Sequence, residues 1–115
     1  MPSISKENKV IALINVFTVE PANQQKVVDM LVRATETTMK NFTGFISATI
    51  HKSVDGVRVA NYVQWRSQQD FEAMRNNPEA QARMKPLMEL SKPDFHLYEV
   101  IDIVKVKVTV TPTWC

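Results

Sequence analysis

The chain has 115 residues, 44% of them hydrophobic and 23% charged, with a formal net charge of +2 from 14 basic and 12 acidic side chains. This is the make-up of one globular domain, and with no basic run or stripe it offers little to nucleic acid or to an anionic membrane surface. The one cysteine, Cys115, cannot staple a fold, so nothing points to an oxidising compartment and a cytoplasmic location is expected.

Residues 1–8 (MPSISKEN) are polar and expected to be mobile. The run VIALINVFTV lacks a basic leader and is too short to cross a bilayer as a helix, so it reads as a strand from about Val10 to Val19. Pro21 suits a first helical turn, and Val27, Leu31, Ala34 and Thr38 recur at helical spacing, which predicts an amphipathic helix over 22–40. Gly44 leads into GFISATIHKS, a second strand, and Asp55-Gly56 marks a tight turn before VRVANYVQWR, so the second and third strands form a hairpin.

Ser67 followed three residues later by Asp70 is a capping-box signal for the next helix. Asn77-Pro78 restarts a helical stretch that Pro86 is expected to kink or break. Ser91-Lys92-Pro93 reads as a loop, and a last strand runs from Phe95 into KVKVTVT. The order β-α-β-β-α-β with right-handed crossovers predicts an α+β fold: a four-stranded antiparallel sheet, helices on one side, and the third strand between the first and second. The domain is expected to span 9–108, with 109–115 as a C-terminal tail.

Both faces of the first strand are apolar. Ile11, Leu13, Phe17 and Val19 share one side with Asn15, while Val10, Ala12, Ile14 and Val16 share the other. The helices cover one face only, so the second requires another cover, and a homodimer packed sheet against sheet is the simplest. Val104, Val106, Val108 and Val110, alternating with polar residues, are placed to extend across that partner.

Asn61, Val63 and Trp65 lie on one face of the third strand. Together with Asn15 they either form a polar-lined pocket under the helices or bond to nearby backbone while Trp65 fills core. The two glycines, Gly44 and Gly56, are both spent on turns, which leaves no phosphate-cradling loop. That disfavours nucleotide cofactors, and with neither metal-ligand spacing nor a nucleophilic triad a metal site and a nucleophilic hydrolase are disfavoured too.

The stretch NYVQWRSQQDFEAM, with INVFTVEPANQQKVVDML, GFISATIHKSVDG and HLYEV, resembles the antibiotic biosynthesis monooxygenase (ABM) family over roughly residues 8–104. The resemblance implies a ferredoxin-like, dimeric α+β barrel. Within the family it is similar to the actinorhodin-type, quinone-forming branch, which oxidises phenolic polyketide aromatics with O2 and needs no cofactor.

By that resemblance Asn61 and Trp65 take catalytic positions. Asn61 would steady a substrate oxyanion, and Trp65 would stack on the flat substrate and offer its N–H to oxygen. Asn15, Phe71, Arg83 and His96 are the substrate-binding candidates that go with them, His96 by residue type rather than by the resemblance. Phe71 stands where that branch has a tyrosine, and ungapped spacing puts Met84 where a basic residue is expected, with Arg83 beside it.

A haem-degrading branch shares Asn15 and Trp65, but its histidine position falls near Arg75 and no histidine lies between His51 and His96. His96 on the last strand, and less so His51 on the second, are the imidazoles available as general bases. A third reading is a dimeric module that binds a small molecule without turning it over.

Overall fold

The computed structural model describes residues 10–106; the expectations for residues 1–8, for the 109–115 tail and for Cys115 lie outside the described residues. Strands β1 (Ile11–Val19), β2 (Phe45–Lys52), β3 (Arg58–Trp65) and β4 (Ser91–Glu99) form one antiparallel sheet in the order β2-β3-β1-β4. Helices α1 (Gln24–Thr37), α2 (Gln68–Arg75) and α3 (Pro78–Leu90) complete a ferredoxin-like α+β fold. The third strand lies between the first and second, as the chain order predicts.

Proline explains two departures from expectation. Ser91-Lys92-Pro93 is part of β4 rather than a loop, with Pro93 opposite Phe17. β4 is an edge strand, where the missing N–H forfeits no ladder bond on its free side. Pro86 sits inside an unbroken α3. It and Ala82, whose carbonyl it leaves unpaired, are both exposed, while Ala80 and Leu87 hold the buried side of the helix.

At its far end β4 stops at Glu99, and residues 100–106 belong to no strand, so the expected run from Phe95 into KVKVTVT is interrupted before it. Glu99 already faces Ile11, the first residue of β1, so the residues that follow have no strand to pair with among the described residues. Ile101, Val104 and Val106 are exposed instead; Val108 and Val110 fall outside the described residues.

The helix face of the sheet buries two clusters. Phe17, Val19 and Val59 pack under Val27 and Leu31 of α1 and Leu87 of α3. Leu13, Val63 and Trp65 meet Phe71 of α2. On the outer face Ile14, Val16 and Tyr62 are half-buried, whereas Thr49, His51, Asp94, His96 and Tyr98 are exposed.

Candidate active site

Pairing of β1 with β3 sets Asn15 directly opposite Asn61, and both are 7% exposed. In antiparallel strands such partners stand side by side on one face, here the helix face. Trp65 projects the same way four residues along β3 and is 1% exposed. Above them a cavity of about 320 Å³ opens between sheet and helices. Leu13, Val63 and Phe95 join the amides and indole on its floor, and Leu31, Phe71, Met74, Met84 and Met88 form much of its roof. The volume lies at the lower end of the range for small-molecule pockets, roughly 300–1,000 Å³.

Asn15 Oδ1, Asn61 Oδ1 and Trp65 Nε1 are buried and bond nothing. Native proteins rarely leave such atoms unpaired, at about 1–3 kcal/mol each, so they need a partner from inside the cavity: water when it is empty, a ligand when it is filled. This favours a polar-lined pocket over amides bonded to nearby backbone.

The indole is held by its neighbours. Phe45 meets it edge-on at 5.5 Å and 88°, and Phe71 at 6.2 Å and 69°. Phe71 in turn touches Phe95 at 6.1 Å. Trp65 is thus a fixed ring whose N–H alone lacks a partner.

The position of α2 over the cavity is set at its first turn. Ser67 Oγ accepts the Asp70 N–H at 3.1 Å and donates to the Asp70 carboxylate at 2.9 Å, which is half of the expected capping box. Arg66 clamps the same carboxylate through Nε at 2.8 Å and Nη2 at 3.1 Å. The Arg66 bonds, reinforced by Ser67, hold the Asp70 carboxyl below its ordinary value despite some desolvation. Gly44, at φ 87°, passes against this carboxylate where a Cβ would collide with it, and its carbonyl accepts the Arg66 N–H at 2.7 Å.

The sequence-based candidates separate. Asn15, Asn61, Trp65 and Phe71 line the cavity together. Arg83 does not: its Nε donates to Thr38 Oγ1 at 3.1 Å and it lines a separate groove between α1 and α3, while neighbouring Met84 faces the cavity. One residue turns a helix by about 100°, enough to change its face.

His96 lies on the outer face of the sheet, 65% exposed, with Nε2 3.1 Å from Asp94 Oδ1. His51 is exposed on that face too. Neither imidazole reaches the cavity, which removes the nitrogen ligand a haem would require here.

Among the lining residues that the sequence reading did not single out, Phe45 and Arg75 bear most on the site. Strict alternation would put Phe45 on one face of β2 with Ser47, Thr49 and His51, but a register shift between Phe45 and Ser47 breaks it and turns Phe45 to the helix side. Arg75 follows Phe71 by four residues on α2, so helical spacing alone was enough to place it on the cavity side. Among the described residues no Asp, Glu, His, Cys, Tyr or Lys lines the cavity.

The fold and pocket define a small ligand-cavity domain of the ferredoxin-like class. Residues 10–86 match the family described as antibiotic biosynthesis monooxygenase. The chain belongs to this family. It is 42% identical over 93 residues to tetracenomycin-F1 monooxygenase of Streptomyces glaucescens, which spans 81% of this chain and 83% of that protein.

Among solved structures, the monooxygenase from ActVA-Orf6 of Streptomyces coelicolor, in complex with nanaomycin D, superposes with a TM-score of 0.80. It is 25% identical, over 88% of this chain and 96% of that one. SnoaB of Streptomyces nogalater, a cofactor-independent oxygenase, shares the fold at a TM-score of 0.72 and 20% identity, over 84% and 97% of the two chains. Among the described residues no helix is long and apolar enough to cross a membrane.

Proposed function

We propose that the chain is a cofactor-independent monooxygenase that oxidises a phenolic, polyketide-like aromatic with O2 to a quinone. The observation that carries this reading is the set of three unpaired buried polar atoms in a largely apolar hollow. Its relatives named for monooxygenase activity support the reaction class.

For an anthrone the reaction balances without another reductant. The ring CH2 becomes C=O, one oxygen atom of O2 enters the product, and the other leaves as water with both hydrogens. The substrate supplies all four electrons. Ionised, an electron-rich anthrone is a carbanion able to reduce O2, and the cavity then has to hold that anion and the carbon-bound peroxide that follows. Asn61 can donate to the substrate oxyanion through Nδ2–H while its unpaired Oδ1 accepts from a phenolic O–H, and the Trp65 N–H can bond the peroxide. Asn15 orients the ring from the facing strand, and Phe71 with the methionine side chains gives an apolar wall that adapts to flat rings.

Oxygen uptake with dithranol, a dihydroxyanthrone, tests the reading after subtraction of the uncatalysed rate. Trp65→Phe and Asn61→Ala are each expected to lower kcat by about 10–100-fold, in the range of one lost transition-state donor. Equal rates in wild type and both variants would remove the assignment.

The cavity's lack of an ionisable base favours a second reading, a module that binds an aromatic metabolite without turnover. Thermal stabilisation by the ligand with no oxygen consumed would select it.

The active unit in this proposal is a homodimer joined through the outer sheet face. Half-buried Ile14, Val16 and Tyr62, and exposed Tyr98, Val104 and Val106, supply apolar surface for it. Sedimentation equilibrium giving the monomer mass at micromolar concentration would reject that assembly.

A further inference from the structure

Among the described residues the cavity is lined by one charged side chain, Arg75 at the end of α2. Its guanidinium stands 5.1 Å from the centre of the Phe95 ring, within the range of a cation–π contact. Phe95 itself belongs to the cavity floor. The side chain is 55% exposed, which sets it at the mouth rather than in the depth, and among the described residues its one ion pair is a long 3.9 Å approach of Nη1 to Glu72 Oε1. Most of its five N–H donors are therefore uncommitted to any carboxylate of the described residues.

The other polar lining groups are neutral. Thr35 Oγ1 donates to the Leu31 carbonyl at 2.8 Å, and Gln81 Nε2 donates to the Arg75 carbonyl at 3.2 Å. The hollow is thus graded, with uncharged amide and indole groups on its floor and a cation at the rim.

We propose that Arg75 is a specificity-determining residue that selects aromatic acids, pairing with a carboxylate on the substrate's outer end while the ring to be oxidised lies over Asn61 and Trp65. The inference rests on the aromatic-ligand reading of the cavity and extends it to substrate class. A carboxylate matches the guanidinium fork in two parallel hydrogen bonds, and Phe95 holds that fork ready from one side. The same carboxylate excludes the opposite pose, because inverting the substrate would bury its charge against Leu13 and Val63 with no cation in reach. Arg75 therefore fixes both which molecule enters and which end leads.

The test uses product-like quinones that cannot turn over: danthron, a dihydroxyanthraquinone, and rhein, the same quinone bearing one carboxylate. Isothermal titration calorimetry at neutral pH is run on wild type, Arg75→Gln and Arg75→Lys. Wild type is expected to favour rhein by about tenfold, the worth of one charge-assisted contact at a half-exposed site. Arg75→Gln brings the ratio to about one by weakening rhein alone, and Arg75→Lys keeps a preference of the same sign.

A merely structural Arg75 would shift both ligands together. Equal affinity of wild type for the two quinones, a preference that Arg75→Gln leaves unchanged, or binding of neither quinone overturns the assignment. A rhein preference lost in Arg75→Gln but unaccompanied by oxygen uptake with dithranol would sink the catalytic reading and leave the Arg75 assignment standing.

Discussion

One layer between sheet and helices is solid at one end and hollow at the other. Phe17 on β1 faces Val59 and Pro93 on the neighbouring strands, and α1 and α3 close over it with Val27, Leu31 and Leu87. Two residues along β1, Asn15 faces Asn61 and Phe95, and the space above is cavity. The strands, the register and the side-chain direction are the same at both places. The difference is chemical: apolar side chains in one row interdigitate with the helices, while two amides in the next cannot be covered by Leu or Val without losing all hydrogen bonding. The solid end stabilises the fold, and the unpaired atoms at the hollow end draw on that stability, as functional sites commonly do.

The largest effect that separates the two ends is expected from Phe17→Ala. Phe17 is fully buried among well-packed neighbours, so its truncation should cost about 3–5 kcal/mol of unfolding free energy in a urea titration. If the loss is below 1 kcal/mol, that end of the layer is not the solid core described. Asn61→Leu is expected to act in the opposite sense. It replaces a buried amide that has an unpaired oxygen with an apolar side chain of similar size, so stability should rise by about 1 kcal/mol while dithranol-dependent uptake falls. A Leu variant less stable than wild type would mean that the amide has structural partners and that the floor is ordinary core.

Much of this contrast was legible in the sequence. Alternation alone put Asn61, Val63 and Trp65 on one side of β3, and the mixed face of β1 put Asn15 there as well. Helical spacing located the buried side of α1. What could not be read depended on neighbours. Whether a strand sits at an edge decides if Pro93 is tolerated, and whether a partner strand continues decides where β4 ends. The irregularity between Phe45 and Ser47 has no composition signal, yet it gives Trp65 one of its aromatic contacts. His96 was a plausible base by residue type, and only its strand's registry with β1, Ile14 opposite His96, shows that it shares the outer face. Arg75 was within reach of the periodicity argument, but it was considered only as the position where another branch has a histidine.

The next effect concerns how the roof of the hollow is fixed. Ser67→Ala removes the oxygen that accepts the Asp70 N–H and should cost about 1 kcal/mol, the usual worth of an N-cap. Because α2 also carries Phe71, Met74 and Arg75 over the cavity, the loss should raise the dithranol KM more than it lowers kcat. Hydrogen exchange faster in α2 than in α1 would show that the loosening is local. Uniform acceleration across the chain would show that the cap supports the whole fold instead.

The smallest effect is one of pH, and its sign follows from Asp70. Its carboxyl is held below the ordinary value of 3.8, first by the Arg66 hydrogen bonds. A group whose pKa is lower folded than unfolded adds stability above its unfolded value and loses it as pH falls through the folded one. Wild type should therefore lose stability below about pH 4 more steeply than Asp70→Asn, which keeps the shape but has no proton to take up there. Asp55, depressed chiefly by its hydrogen bond from Ser53, titrates in the same range in both proteins, so some acid sensitivity persists in the variant. The comparison is the difference between two melting-temperature curves against pH, flat from neutrality down to the carboxylate range and narrowing below it. Parallel curves throughout would mean that the exposed Arg66 is too well screened to couple the clamp on α2 to folding. Asp70 would then hold the helix by geometry alone, as the partner of Ser67 and the neighbour that Gly44 accommodates.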